Sequence, residues 1–168
     1  EVTLVASFDG SSSAHSARLS ALGYSSQLGF FLTSEEDIIY HSSDGEHWEQ
    51  FTVGPNPNFV SLWGFDERPT FALSNRGLYA HNGTSWRLEP GTGGIVGRAI
   101  WGSSPENTFF VGDDDMDWEG GLFLRKNGNE WSEMTVDFDF PEELINQSYA
   151  FMDIWGRSRT DIYATDTR

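Results

Sequence analysis

A short strand with the pattern apolar-Trp-Gly recurs along the chain and constrains its fold more than any other feature. Three full copies and one weaker copy occur: Leu62-Trp63-Gly64, Ile100-Trp101-Gly102, Ile154-Trp155-Gly156 and Ala21-Leu22-Gly23. Seven residues after the glycine of each copy stands an aromatic residue, namely Phe71, Phe109, Tyr163 and Phe30. A motif that returns with a fixed internal offset indicates a protein built from structural repeats.

Each repeat continues with a turn dipeptide, which a tryptophan usually follows. The turns are Asp9-Gly10, Asp44-Gly45, Asn82-Gly83 and Asn127-Gly128, and the tryptophans are Trp48, Trp86 and Trp131. Asp-Gly and Asn-Gly favour type I′ hairpin turns, in which both central residues have positive φ. The repeat therefore predicts four short antiparallel strands, the content of one β-propeller blade. We expect Trp63, Trp101 and Trp155 to pack between blades, and the glycines after them to let the chain turn near the axis.

The spacing of the repeats predicts about four blades in a single domain, residues 1–168. Successive Trp-Gly glycines lie 41, 38 and 54 residues apart, and propeller blades of the WD40 type run to about 40–45 residues. Residues 148–168 supply the first two strands of a blade and residues 1–13 supply the last two, so together they complete a blade and close the ring. The predicted fold is an all-β propeller of four-stranded antiparallel blades, at 14–53, 58–90, 96–136, and 148–168 joined with 1–13. The alternative is half, or a fragment, of a larger propeller completed by another chain or copy.

Two segments resemble motifs of known propellers. Residues 100–112, I-W-G-S-S-P-E-N-T-F-F-V-G, resemble the repeat of bacterial secreted β-propellers, which reads roughly I-W-G-S-S-P-x-D-V-x-x-V-G before an Asp-Gly or Asn-Gly turn. Residues 42–48, S-S-D-G-E-H-W, resemble a shortened Asp-box, the turn motif of BNR and sialidase-type propellers. The resemblance implies a propeller fold and an extracellular, periplasmic or cell-surface location. It implies no chemistry, because Asp-box residues stabilise the turn and lie far from active sites.

Charge and hydropathy exclude several classes of partner. The chain carries 26 acidic and 10 basic residues, a formal net charge of −16. Nucleic acids and anionic membranes bind clustered Lys and Arg, so neither is an expected partner. No apolar run is long enough for a transmembrane helix, and membrane insertion is not expected.

The third repeat contains two insertions, residues 112–121 and 137–147, and blade topology places both on one face. Insertions in repeat proteins usually mark the binding face. The first is rich in oxygen ligands of the kind that Ca²⁺ prefers, and its candidate metal ligands are Asp113, Asp114, Asp115 and Asp117. Its tryptophan and two phenylalanines of the second insertion are candidate ligand-stacking residues: Trp118, Phe138 and Phe140. The structural alternative for the first insertion is a solvated acidic loop. For the second insertion it is a strand edge whose aromatic residues cover the ring.

No catalytic residue is assigned, because the sequence contains no Ser-His-Asp signature, zinc motif or phosphate-binding loop. The arginines are scattered and do not recur at one blade position. The primary hypothesis is a non-catalytic secreted or surface binding module, monomeric or homodimeric, with a carbohydrate or protein ligand on the face of the two insertions. The alternatives are the structural half of a larger propeller and a glycoside hydrolase-like enzyme.

Overall fold

A computed structural model describes residues 19–34, 37–54, 56–66, 70–114, 121–135 and 150–166. Every regular element in these ranges is a β-strand, so the predicted all-β class is confirmed. A helix able to cross a membrane does not occur among these residues.

The strands form four antiparallel sheets in chain order. The first sheet contains β1 (Leu19–Ser25), β2 (Gly29–Ser34), β3 (Ile38–Ser42) and β4 (Glu49–Thr52). The second contains β5 (Phe59–Trp63), β6 (Thr70–Ser74), β7 (Gly77–His81) and β8 (Trp86–Leu88). The third contains β9 (Ile95–Ser104), β10 (Asn107–Asp114), β11 (Gly121–Asn127) and β12 (Glu130–Glu133). The fourth contains β13 (Phe151–Ser158) and β14 (Asp161–Asp166).

The sheets are arranged as successive blades. Each is a meander whose strands pair in sequence order, and the first strands β1, β5, β9 and β13 contact one another in that order. The predicted four-stranded blade is therefore present three times, and a fourth blade is represented by two strands. Residues 1–13, predicted to complete that blade and close the ring, lie outside the described residues, so the closure stays a prediction.

Three apolar clusters lie between consecutive sheets and form the core. Phe31 and Ile39 of the first sheet pack with Leu62 and Ala72 of the second. The other two clusters join the second sheet to the third and the third to the fourth, and their central members are Phe71, Leu73, Ile100 and Phe110 in one and Trp101, Phe109, Val111 and Ile154 in the other. Each inner sheet thus buries both faces, one against the preceding sheet and one against the following sheet.

Two of the three repeated tryptophans pack between sheets as predicted. Trp101 is 6% exposed, and Trp63 packs against the cores on both sides of the third sheet and donates a hydrogen bond from Nε1 to the Gly102 carbonyl at 3.0 Å. The prediction for Trp155 was wrong, since its side chain is 55% exposed. It lies on the face of the fourth sheet that points away from the third.

The glycines after these tryptophans do not turn the chain, contrary to expectation; they allow neighbouring sheets to approach. A Cβ atom on Gly64 would lie 2.8 Å from the Tyr24 carbonyl oxygen, and one on Gly156 would lie 2.9 Å from Cη2 of Trp101. On Gly102 it would lie 2.7 Å from Cζ of Phe65. None of the three glycines has positive φ.

The first copy of the repeat is displaced by one residue from its sequence alignment. Gly23 pairs with Phe31 across β1 and β2, just as Trp63 pairs with Phe71 across β5 and β6. Gly23 therefore occupies the position of the tryptophan, and Phe31 rather than Phe30 is the equivalent aromatic residue. Because side chains alternate between faces, this one-residue shift exchanges the buried and outer residues of the strand.

Three of the four predicted Asp-Gly and Asn-Gly turns lie in the described residues and are turns there, but they are not of type I′; Asp9-Gly10 lies outside the described residues. Gly45, Gly83 and Gly128 have φ values of 80°, 101° and 64°, whereas Asn56 is the one non-glycine residue with positive φ in the described ranges. The Asp or Asn that precedes each glycine keeps negative φ, so its side chain is available to accept hydrogen bonds within the turn.

We expect Gly156→Ala to destabilise the fold by about 1–3 kcal/mol, because the new methyl group overlaps the Trp101 ring and the core must shift. Gly93→Ala is the control, since its Cβ would make an ordinary contact of 3.4 Å with Leu88. Urea unfolding monitored by tryptophan fluorescence measures both. Equal midpoints for the two variants would contradict the close-approach role of Gly156.

Candidate functional site

The predicted ligand-binding and metal-binding residues fall mostly outside the described part of the chain. Trp118, Phe138, Phe140, Asp115 and Asp117 lie outside it. Asp114 ends strand β10, but its side chain is not among those described. The proposed stacking and calcium roles of these residues therefore stay predictions.

Asp113 is the one candidate ligand whose side chain is described, and it forms an ion pair. It is 6% exposed, and Nε and Nη2 of Arg98 both donate to its Oδ2 atom at 2.8 Å. This charge-assisted pair compensates a carboxylate that burial would otherwise disfavour. The described residues contain no group of three or more His, Asp or Glu side chains arranged to hold a metal ion.

The segments that flank the two insertions lie side by side, as blade topology requires. Gly121 is the last residue of the first insertion, and Phe151 lies four residues after the second. A Cβ atom on Gly121 would lie 2.7 Å from Cδ2 and 2.9 Å from the backbone N of Phe151. This contact places the end of the first insertion beside the start of β13, the strand that follows the second insertion.

A groove of about 430 Å³ lies between the third and fourth sheets; we call it the β14 groove. Its walls are mostly apolar and also contain two guanidinium groups, and the principal lining residues are Phe109, Phe123, Phe151, Ile162, Arg125 and Arg159. Met134 and Thr135, which lie two to three residues before the second insertion, also line it. The groove thus begins beside the predicted binding face.

The groove lies where the outer strands of a complete fourth blade would pack. At each of the other two sheet interfaces, an aromatic residue of the second strand of one sheet contacts a tryptophan of the fourth strand of the next sheet. The ring centres of Phe31 and Trp86 are 5.7 Å apart, and those of Phe71 and Trp131 are 6.3 Å apart. Phe109 has no such partner among the described residues. Strand β14 pairs with β13 on one edge, and in the described ranges nothing pairs with its other edge.

Arg125 contributes a buried donor to the β14 groove. It lies opposite Phe109 in the β10–β11 pair, with its Cζ atom 5.6 Å from the centre of that ring. Its Nε atom is buried and has no hydrogen-bond partner among the described residues. Arg159, on the exposed β13–β14 turn, is a second arginine that lines the same groove. A carboxylate bound there would find several donors beside an apolar wall.

Sequence reasoning missed both arginines, because the search considered only arginines that recur at one blade position. The available signal was of a different kind. Within the described residues the fourth sheet has two strands, so residues of the third sheet that face beyond these strands become candidates.

An exposed aromatic pair lies on the outer face of the fourth sheet. Trp155 and Tyr163 are stacked, with ring centres 6.3 Å apart and an interplanar angle of 28°, and each is 55% exposed. The equivalent pair of the third sheet, Trp101 and Phe109, has nearly the same geometry, 6.2 Å and 29°, but is buried by the fourth sheet. The terminal aromatic pair, Trp155 and Tyr163, is thus a sheet-packing surface that lacks a cover in the described structure.

The Asp44 turn, which connects β3 and β4, has a structural role. The Asp44 carboxylate accepts hydrogen bonds from the backbone N–H groups of His47 and Glu46, each at 2.8 Å, and from the Ser42 hydroxyl at 3.0 Å. Its Oδ2 atom also contacts Nδ1 of His47 at 2.8 Å. The His47 backbone and side-chain bonds hold the Asp44 pKa well below its usual range, and the same carboxylate raises the pKa of His47. Asn82 repeats the backbone pattern with Thr84 and Ser85.

Comparisons with known proteins add a structural similarity. No family model matches the chain, and neither does any curated protein. The solved structure of YCF48 bound to D1 peptide matches with a TM-score of 0.59 at 13% sequence identity, over 89% of this chain and 48% of the other. Together with the order of the sheets, this likeness decides the architecture. The chain has the β-propeller fold. It spans about half the length of the YCF48 chain.

We expect Asp44→Asn to lower the pKa of His47 toward its ordinary value of about 6.5, since the raised value depends on the carboxylate. At His47, the interaction stabilises the fold fully below the ordinary pKa of histidine, and this stabilisation is lost as pH rises through the higher pKa of the folded state. At Asp44, the interaction stabilises the fold above about pH 4, the ordinary pKa of the carboxyl group, and this stabilisation is lost as pH falls through the lower pKa of the folded state. NMR titration of the histidine ring measures the change, and Glu46→Gln is the comparison, expected to lower the His47 pKa less because Glu46 raises it less than Asp44 does. An unaltered His47 titration in Asp44→Asn would contradict the role of the carboxylate.

Proposed function

We propose that the chain is a protein-binding β-propeller module that holds an extended segment of its partner in the β14 groove. The observation that carries the proposal is the edge of β14 to which no other described strand is paired, beside an apolar wall. An unpaired strand edge presents a row of backbone N–H and C=O groups, and an added strand satisfies them while its side chains fill the groove.

Three further facts support a protein partner. The net charge of −16 disfavours nucleic acid and anionic lipid surfaces. The structurally similar YCF48 is a propeller captured with a peptide. The groove is continuous with the segments that flank the second insertion, so a partner could extend onto the face where Trp118, Phe138 and Phe140 were predicted to bind.

Secretion or surface exposure, a carbohydrate ligand and a calcium ion on Asp113 to Asp117 remain hypotheses from the sequence.

We expect Ala164→Trp to weaken peptide binding about tenfold or more, equivalent to about 1.4 kcal/mol, because Ala164 lines the groove and an indole there fills it. Thr165→Trp is the matched control, since the next residue of the strand points to the opposite face. Peptides selected from a random phage-displayed library on the wild-type chain would be measured against both variants by fluorescence anisotropy. Equal binding to the two variants would place the peptide site elsewhere.

The predicted N-terminal strand competes for the same edge of β14. If residues 1–13 complete the fourth blade, Val5→Pro should lower the unfolding midpoint, because proline removes a hydrogen-bond donor from a paired strand. The groove would then be occupied by the chain itself. If the edge receives a partner, Val5→Pro leaves both the midpoint and peptide binding unchanged.

A second candidate function is the structural half of a larger propeller, completed by a second copy. Of the nine exposed large hydrophobic residues in the described ranges, six lie on β1 and the fourth sheet: Leu19, Leu22, Tyr24, Met152, Trp155 and Tyr163. These are the two ends of the row of sheets. Apolar surface concentrated at both ends favours end-to-end assembly.

We expect a ring formed by two copies to dissociate when the terminal aromatic pair is removed by Trp155→Ser with Tyr163→Ser. Light scattering at micromolar concentration would then report a dimer for the wild-type chain and a monomer for the double variant. Leu88→Ser, at an exposed apolar residue of the second sheet, is the control and should leave the dimer intact. A wild-type chain that is monomeric throughout would exclude this candidate.

A further inference from the structure

The β14 groove contains two basic groups without acidic partners, which is unusual in so acidic a chain. Three other basic side chains are paired: Arg98 with Asp113, Arg157 with Asp161, and Lys126 with Glu89. Arg125 and Arg159 have no carboxylate partner among the described residues, although the chain has 26 acidic residues for 10 basic ones. Arg76 and Arg87 share this property but do not line the groove.

Arg125 differs from an ordinary surface arginine in its burial. Its Nε–H is removed from solvent and lacks an acceptor within the described residues, and a buried donor without a partner is destabilising. The guanidinium is also oriented by its position over the Phe109 ring. An oriented fork of N–H donors is suited to bidentate binding of a carboxylate.

On this basis, and resting on the proposed function of the groove, we propose that the bound segment is an extended peptide with one acidic side chain among apolar ones, and that Arg125 and Arg159 bind that carboxylate. Alternate side chains of a strand added to β14 point at the wall formed by Phe109, Phe123 and Phe151. Those positions take apolar residues, and the acidic residue occupies the wall-facing position nearest Arg125.

The net charge of the chain limits how acidic the partner segment is. A field from a net charge of −16 repels a run of carboxylates, whereas one carboxylate placed between two guanidinium groups gains short-range pairing within an apolar site. A single acidic residue flanked by apolar ones is therefore favoured over an acidic tract.

The test uses two heptapeptides, acetylated and amidated: Thr-Val-Thr-Glu-Thr-Val-Thr and its analogue with Gln at the central position. Binding of each to the full chain is measured by fluorescence anisotropy of an attached dye. We expect the Glu peptide to bind about tenfold more tightly than the Gln peptide, the advantage of a charge-assisted pair over a neutral one.

Variants distinguish recognition by the arginines from a structural effect. Arg159→Gln, at an exposed turn, should reduce the preference for Glu without changing the melting temperature, and Arg125→Gln should abolish it. Arg125→Lys, which keeps the charge and loses the fork, should recover only part of the preference. Arg87→Gln, on β8, is the control and should leave it unchanged.

Each other outcome overturns the proposal. Equal binding of the two peptides would remove the carboxylate role while leaving the groove as a peptide site. A preference for Glu that survives both Arg125→Gln and Arg159→Gln would place its recognition elsewhere. If neither heptapeptide binds while library peptides bind in a way that Ala164→Trp blocks, carboxylate recognition fails and the protein-binding function stands. If library peptides also fail to bind, the proposed function itself fails.

Discussion

Face-to-face burial between consecutive sheets is the interaction on which the rest of this structure depends. Each interface packs aromatic and aliphatic residues of one sheet against those of the next, and a glycine allows a close approach, as where the Trp101 ring lies over Gly156. The contact is so close that a single methyl group has no room at the glycine. Because a four-stranded sheet that buries one face still leaves the other apolar, every sheet requires a neighbour on both sides.

The candidate functional surfaces follow from this requirement at the last sheet. Its outer face keeps the aromatic pair of an internal interface, Trp155 and Tyr163, without the sheet that would cover it in the described structure. Its inner face, two strands wide, leaves part of the third sheet uncovered and so forms the β14 groove. The first sheet does not offer the outer face of the fourth sheet the same surface as an internal interface does. Tyr24 occupies the position at which the later sheets have Gly64, Gly102 and Gly156. Contact between the two ends must therefore differ in detail from the internal interfaces.

Charged residues have separate roles in these surfaces. The partly buried Lys126 and Glu89 pair, at 2.5 Å, joins β11 to the segment after β8, and the Arg98 and Asp113 pair holds the start of β9 against the end of β10. Asp113 was predicted as a metal ligand because acidic loops often bind calcium, yet its carboxylate is engaged by an arginine that no local pattern connects to it. Arg125 and Arg159 were not predicted as site residues, because they do not recur at one blade position, yet both line the β14 groove.

The sequence by itself determined the strands, the turns and the order of the blades, because these depend on local patterns: alternation within strands and glycines that adopt positive φ at residues 45, 83 and 128. The prediction that the two insertions share one face stays a prediction, because most of their residues lie outside the described part of the chain. Only the tertiary structure decided which face each residue occupies, as the one-residue displacement at Gly23 demonstrates, and that the repeated glycines admit a neighbouring sheet. The β14 groove also required the tertiary structure, because it is formed by residues distant in sequence around strands that are missing from the fourth sheet as described, and no local pattern encodes an uncovered surface.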